Sequence, residues 1–79
     1  MYNIKLIKTL KELFPSAVFT ETDTDLQIGS FKEWDSLGNF NLLLGVEEAF
    51  GVRFGVEEMT ELKSLKAIEQ ALKNKNAIP

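Results

Sequence analysis

The sequence predicts an all-α fold: a small four-helix bundle of three longer helices and one short helix, with a long loop between the first two. Three observations predict it. Apolar residues recur at helical spacing in three separate segments, near residues 3–13, 36–50 and 64–73. Cap and breaker residues (Pro15, Asp35, Gly51 and Ser64) stand where those segments begin or end. Between the first two segments, residues 15–34 show no sustained periodicity.

Taken in order, residues 3–13 read as a helix. Ile4, Ile7, Leu10 or Lys11, and Phe14 fall near helical spacing, with Leu6 and Leu13 beside them. Pro15 stops it, because proline disfavours a helical residue before it and lacks the N–H to continue. In the loop, Thr20, Thr22, Asp23, Thr24, Gly29 and Ser30 are turn and cap formers. Connections this long tend to be functional or disordered. Leu26, Ile28, Phe31 and Trp34 argue for order, since they can pin the loop onto a core.

The second helix spans residues 36–50, with Asp35 as N-cap and Gly51 just past its end. Leu42, Leu43, Val46, Ala49 and Phe50 make one apolar face, and Leu37, Phe40 and Leu44 an offset stripe. A helix apolar over most of its circumference is either central in the core or exposes a sticky face. Residues 52–55 are extended, and Phe50 and Phe54, which bracket the turn Gly51-Val52-Arg53, read as core residues. Val56–Glu61 forms a short helix, and Ser64 caps the last, with Leu65, Ile68 and Leu72 inward. Residues 74–79 read as a frayed tail. No repeat, linker or low-complexity run divides the 79 residues, so one domain is expected.

Composition narrows the chemistry. The apolar share of 44% suits a packed core. There is no Cys and no His, so thiolate and His-activated nucleophiles are absent. Disulfides are absent too, which fits a reducing cytosol, and a cytoplasmic monomer is expected. The first 13 residues lack the continuous apolar block of a signal peptide, and no segment is long enough to span a bilayer. A net charge of −3 argues against nucleic acid as partner. Charge is uneven: Lys5, Lys8 and Lys11 near the start, Glu21, Asp23, Asp25, Glu33 and Asp35 in the loop, Glu47 and Glu48 after it. Solvated surface explains each charge singly; as a group the acids fit a basic partner. Asp23 and Asp25 resemble the start of a calcium loop, but Ile28 and Trp34 stand where that loop needs Gly and Glu. Glu47, Glu48, Glu57 and Glu58 read as exposed surface, and no metal site is expected.

Ser36, in Glu33-Trp34-Asp35-Ser36-Leu37-Gly38, is the informative residue. A serine at the mouth of an apolar helix, with no base to activate it, reads as an acceptor of a covalent group installed by another enzyme. The first helical turn after a long loop exposes the hydroxyl on a rigid scaffold, and the helix start favours a phosphate. On the local residues alone, a plain N-cap pair before a core helix competes evenly with that reading.

The chain resembles the acyl carrier proteins of the phosphopantetheine-binding family. The likeness runs over the whole chain, in the order of elements and in Asp35-Ser36-Leu37, Glu47-Glu48-Ala49-Phe50-Gly51, Phe54, Val56-Glu57-Glu58 and the stretch from Leu62 to Ile68. It implies that Ser36 takes a 4′-phosphopantetheine arm from coenzyme A, that Asp35 and Leu37 are read by the phosphopantetheinyl transferase, and that the arm carries an acyl group as a thioester. It also implies that the chain is no enzyme itself and serves acyl-loading and acyl-transferring enzymes, as in lipid or fatty acid biosynthesis. Acidic positions Glu47 and Glu48 match those that meet basic partners. The expected acyl lining is Leu43, Val46, Phe50 and Phe54 from the second helix and the turn after it. Met59, Leu62 and Ile68 complete it, each with an ordinary core role as well. The family's fatty-acid members usually carry acids where this chain has Gly38, Asn39 and Asn41. With Trp34, Phe40 and Leu44 nearby, that departure implies a more apolar recognition face (Leu37, Gly38, Phe40, Asn41, Leu44, Glu47 and Glu48) and a specialised carrier. A carrier of aminoacyl or other small acids, and a helical interaction module without prosthetic group, are the alternatives. A hydrolase built on Ser36 has neither base nor oxyanion device.

Overall fold

The computed structural model describes residues 2–19 and 25–79. Among them are four helices and no strand: α1 (Ile4–Leu13), α2 (Ser36–Phe50), α3 (Val56–Glu61) and α4 (Leu65–Asn74). The all-α fold expected from the sequence is the fold observed.

The caps locate the helices. Asn3 Oδ1 accepts from the N–H of Lys5 at 2.9 Å and of Leu6 at 3.2 Å. Asp35 Oδ1 accepts from Gly38 N–H at 2.8 Å, and Ser64 Oγ from Ala67 N–H at 3.1 Å. Each bond satisfies a donor that the first turn leaves without an intrahelical partner. Gly55 has no side chain to cap α3, so Glu58 reaches back and accepts from its N–H at 3.1 Å. α2 ends at Gly51, whose φ of 65° suits a residue without Cβ.

α1 buries Leu6, Ile7 and Leu10; α4 buries Leu65, Ile68 and Leu72; α2 buries Leu42, Leu43 and Val46. These side chains share one core with Phe14, Trp34, Phe54 and Leu62. Ile4, placed inward by spacing, is exposed. The inward stripe of α1 centres on Leu6 and Leu10, and Ile4 sits about 140° around the helix from it. α1 and α2 approach closely at Gly45, where a Cβ would stand 3.0 Å from Leu13 Cδ2. Asn3 N–H donates to Glu69 Oε2 at 2.7 Å and joins the start of α1 to α4.

Aromatic stacking orders the described part of the loop. Phe14 and Trp34 stack with centroids 5.8 Å apart, and Phe31 lies 5.9 Å from Trp34. Ile28 N–H donates to the Lys63 carbonyl at 2.8 Å and Leu65 N–H to the Leu26 carbonyl at 2.9 Å, pairing the loop with the α3–α4 connection. Trp34 is fully buried. It therefore anchors the loop, as expected, and is no part of a recognition face, because the indole is enclosed by the aromatic cluster. Thr20, Glu21, Thr22, Asp23 and Thr24 lie outside the described residues.

The tail is docked where fraying was expected. Asn76 is left-handed at φ 59°, its N–H donates to the Lys73 carbonyl, and Ala77 N–H donates to the Leu72 carbonyl at 2.9 Å. This closes α4 and turns Ala77 and Ile78 back onto the core. Lys75 Nζ then reaches Glu58 Oε1 at 3.1 Å.

Candidate functional site

Ser36 is the first residue of α2 and is exposed. Asp35 is occupied as the cap: its carboxylate accepts from Gly38 N–H and its carbonyl from Asn39 N–H at 2.8 Å. Capping falls to Asp35 and not to Ser36, and at the first helical positions the Ser36 and Leu37 N–H groups have no intrahelical acceptor. With no His in the chain, nothing near Ser36 can serve as an imidazole base.

Ser36 opens onto a groove of about 450 Å³ between α2 and α3. Phe40 and Leu43 line it from α2, and Val56, Met59 and Thr60 from α3. Ile28 and Lys63, brought together by their backbone hydrogen bond, contribute from the loop and the α3–α4 connection. Asn39 also lines it, though only 6% exposed. Asn39 Oδ1 accepts from Trp34 Nε1 at 2.9 Å, and Asn39 Nδ2 donates to the Leu62 carbonyl at 2.9 Å. The amide thus ties α2 both to the loop and to the end of α3. Among the described residues no buried side-chain nitrogen or oxygen lacks a partner.

Of the seven residues expected to line an acyl site, Leu43 and Met59 lie on this groove. Val46 and Ile68 are fully buried in the core, with Phe54 and Leu62 nearly so. Phe50 is half-buried, with Lys5 Nζ 5.0 Å from its ring centre. The groove instead recruits Ile28, Asn39, Val56, Thr60 and Lys63. Val56, an apolar residue beginning a short helix, carried a signal; Ile28 and Lys63 did not, since only backbone pairing brings them there.

The expected recognition face divides. Leu37, Phe40 and Leu44 are 69%, 48% and 44% exposed. Asn41 and Glu48 are exposed as well. Gly38 and Asn39 are buried, so neither offers a surface where acids were the comparison. A Cβ on Gly38 would overlap the Glu33 carbonyl oxygen and stand 3.1 Å from its carbon. The glycine answers a close approach by its own chain rather than by a partner. Glu47 was expected on the surface, but its Oε2 accepts from Phe54 N–H at 2.7 Å and holds the turn after α2. Glu58 is likewise engaged, by Gly55 and Lys75. Among the described residues no group of acids is arranged to hold a metal ion, and no helix is long and apolar enough to cross a membrane.

A comparison with family models, curated proteins and solved structures finds no match to this chain.

Proposed function

We propose that the chain is a cytoplasmic acyl carrier protein: it holds an acyl group as a thioester on a 4′-phosphopantetheine arm at Ser36 and presents it to partner enzymes. One observation carries this reading. An exposed serine hydroxyl, with its neighbouring carboxylate spent on capping, stands at the rim of a largely apolar groove. The fit to the arm is chemical: the exposed serine is accessible to a second enzyme, and the groove it borders also carries a cationic side chain, Lys63. When bound, the arm supplies the thiol that this Cys-free chain lacks.

Ser36 would be loaded by a phosphopantetheinyl transferase. Its oxygen forms a new bond to phosphorus as its proton leaves, and the bond to 3′,5′-adenosine diphosphate in coenzyme A breaks. Asp35 holds the first turn in place during that step, and Leu37, at 69% exposure, is available to the transferase. Intact mass after incubation with transferase and coenzyme A tests the reading. One phosphopantetheine should be added, and Ser36→Ala should gain none while keeping its helical circular dichroism. An arm on the Ser36→Ala chain would sink the assignment.

The outer stripe of Leu37, Phe40 and Leu44 also favours a second reading, a helical interaction module with no prosthetic group. A wild-type chain that binds its partner yet never gains mass would select it.

A further inference from the structure

We propose that residues 75–78 are a latch on α3, and that releasing them loosens the wall that α3 gives to the groove beside Ser36. The need for a latch follows from α3 itself. It has six residues and buries none of them, and a helix of that length does not persist in water without outside contacts. Of its two apolar residues, Val56 is 82% exposed and Met59 half-buried. Its ends are pinned through the buried residues Phe54 and Leu62. Among the described residues, its own side chains add one polar tie to another part of the fold, from Glu58 to Lys75. Val56, Met59 and Thr60 line the groove, so whatever holds α3 also holds that wall.

The tail makes that tie. Asn76 is left-handed at φ 59°, a conformation that asparagine tolerates. It turns the chain so that Ala77 N–H donates to the Leu72 carbonyl, and Ala77 and Ile78 pack on the core. Lys75 precedes that turn, its own N–H donating to the Ala71 carbonyl at 3.1 Å. From there Lys75 Nζ meets Glu58 Oε1 at 3.1 Å and stands 5.6 Å from the centre of the Phe54 ring. The same Glu58 oxygen accepts from Gly55 N–H, the bond that caps α3. One carboxylate oxygen therefore serves both cap and latch, and Lys75 holds Glu58 in the orientation that the cap needs. When Lys75 leaves, α3 loses the fixed cap as well as the tie. The paired side chains are 29% and 33% exposed, so salt screens them and the latch can open while the core stays folded.

Hydrogen exchange of single amides, read by nuclear magnetic resonance on the full unmodified chain, tests the latch. It needs no arm on Ser36, so the latch stands or falls separately from the carrier reading. The reporters are Met59 N–H and Leu62 N–H, which donate to the Gly55 and Glu58 carbonyls at 2.9 and 3.1 Å. The references are Ile7 N–H and Phe14 N–H of α1, on the Asn3 and Leu10 carbonyls. Lys75→Gln should speed exchange at both reporters about two- to fivefold, the scale of an exposed ion pair, and leave the references unchanged. Added salt should do the same to wild type, relative to the references, and nothing further to Lys75→Gln. Asn76→Val, whose branched side chain resists a positive φ, should undock the tail and match or exceed Lys75→Gln. Asn76→Gly should stay at wild-type rates, since glycine is at home there. Lys73→Gln, which removes a nearby cation that makes no ion pair, should change nothing. Reporters that keep wild-type rates in Lys75→Gln and Asn76→Val overturn the latch. So does a rise shared equally by Ile7 and Phe14, because the tail would then only add to the stability of the whole fold. Should Asn76→Val fail to fold, Lys75→Gln and the salt series decide.

Discussion

In α4 the large apolar side chains Leu65, Ile68 and Leu72 are all at 0% exposure, whereas α2 divides its own between two faces. Leu42, Leu43 and Val46 are buried, and Leu37, Phe40 and Leu44 stand in water. The first pattern needs no explanation beyond folding: each buried side chain contributes about 1.5–3 kcal/mol on leaving water. The second pattern gains less from folding, since a partly exposed side chain forgoes part of that contribution. Three such residues on one stripe, beginning next to Ser36, are what a docking surface requires. α4 is thus scaffold, while α2 is scaffold on one face and leaves an apolar stripe exposed on the other.

Substitutions on the two faces sharpen that contrast. Leu72→Ala in α4 should cost about 2–5 kcal/mol, through lost burial and the cavity left behind. Leu44→Ala on the outer stripe should stay within about 0.5 kcal/mol of wild type, yet impair transfer to a partner enzyme more than Glu48→Gln does. Urea denaturation with transfer assays on the same variants separates the two. A large stability loss in Leu44→Ala would erase the distinction between faces.

A smaller effect is expected where α2 begins. Alanine favours helix over glycine by about 1 kcal/mol, so an unconstrained Gly38→Ala would stabilise. The overlap with the Glu33 carbonyl reverses the sign, and Gly38→Ala should cost about 1–3 kcal/mol as the first turn shifts. A thermal scan showing a more stable Gly38→Ala would mean that the loop yields readily there.

The smallest contrast lies between adjacent acids at the other end of α2. Glu47→Ala removes the acceptor for Phe54 N–H and should cost about 1 kcal/mol. Glu48→Ala, on an exposed side chain with no such bond, should be near neutral. Equal denaturation midpoints for the two would remove the structural role given to Glu47.

Much of this architecture was legible. Asp35, Gly51 and Ser64 mark helix ends because capping is local chemistry, satisfied within three or four residues of the cap. Leu65, Ile68 and Leu72 read as an inward face because their spacing alone defines it. Ser36 stood out through its neighbours and the lack of any Cys or His. The tail was misread because nothing short of the left-handed Asn76 shows that Ala77 and Ile78 turn back. Glu47, and Trp34 in its place beside the recognition face, were misread for a related reason: an aromatic and an acid look alike in sequence whether they face a partner or their own fold.

By itself, then, the sequence determined the helices, the caps of α2 and α4, the two apolar faces of α2 and the serine that stands between a cap and a leucine. These depend on periodicity and on bonds between near neighbours. Tertiary structure alone decided that Asn39 bridges Trp34 to Leu62, that Gly38 makes room for Glu33, and that Ile28 and Lys63 border the groove beside Ser36. The bridge to Leu62 and the backbone pairing of Ile28 with Lys63 join residues far apart in the chain, so they exist only once the loop has closed over the core. The Trp34 and Glu33 contacts are near in sequence, but they too require the loop to be folded back on the start of α2.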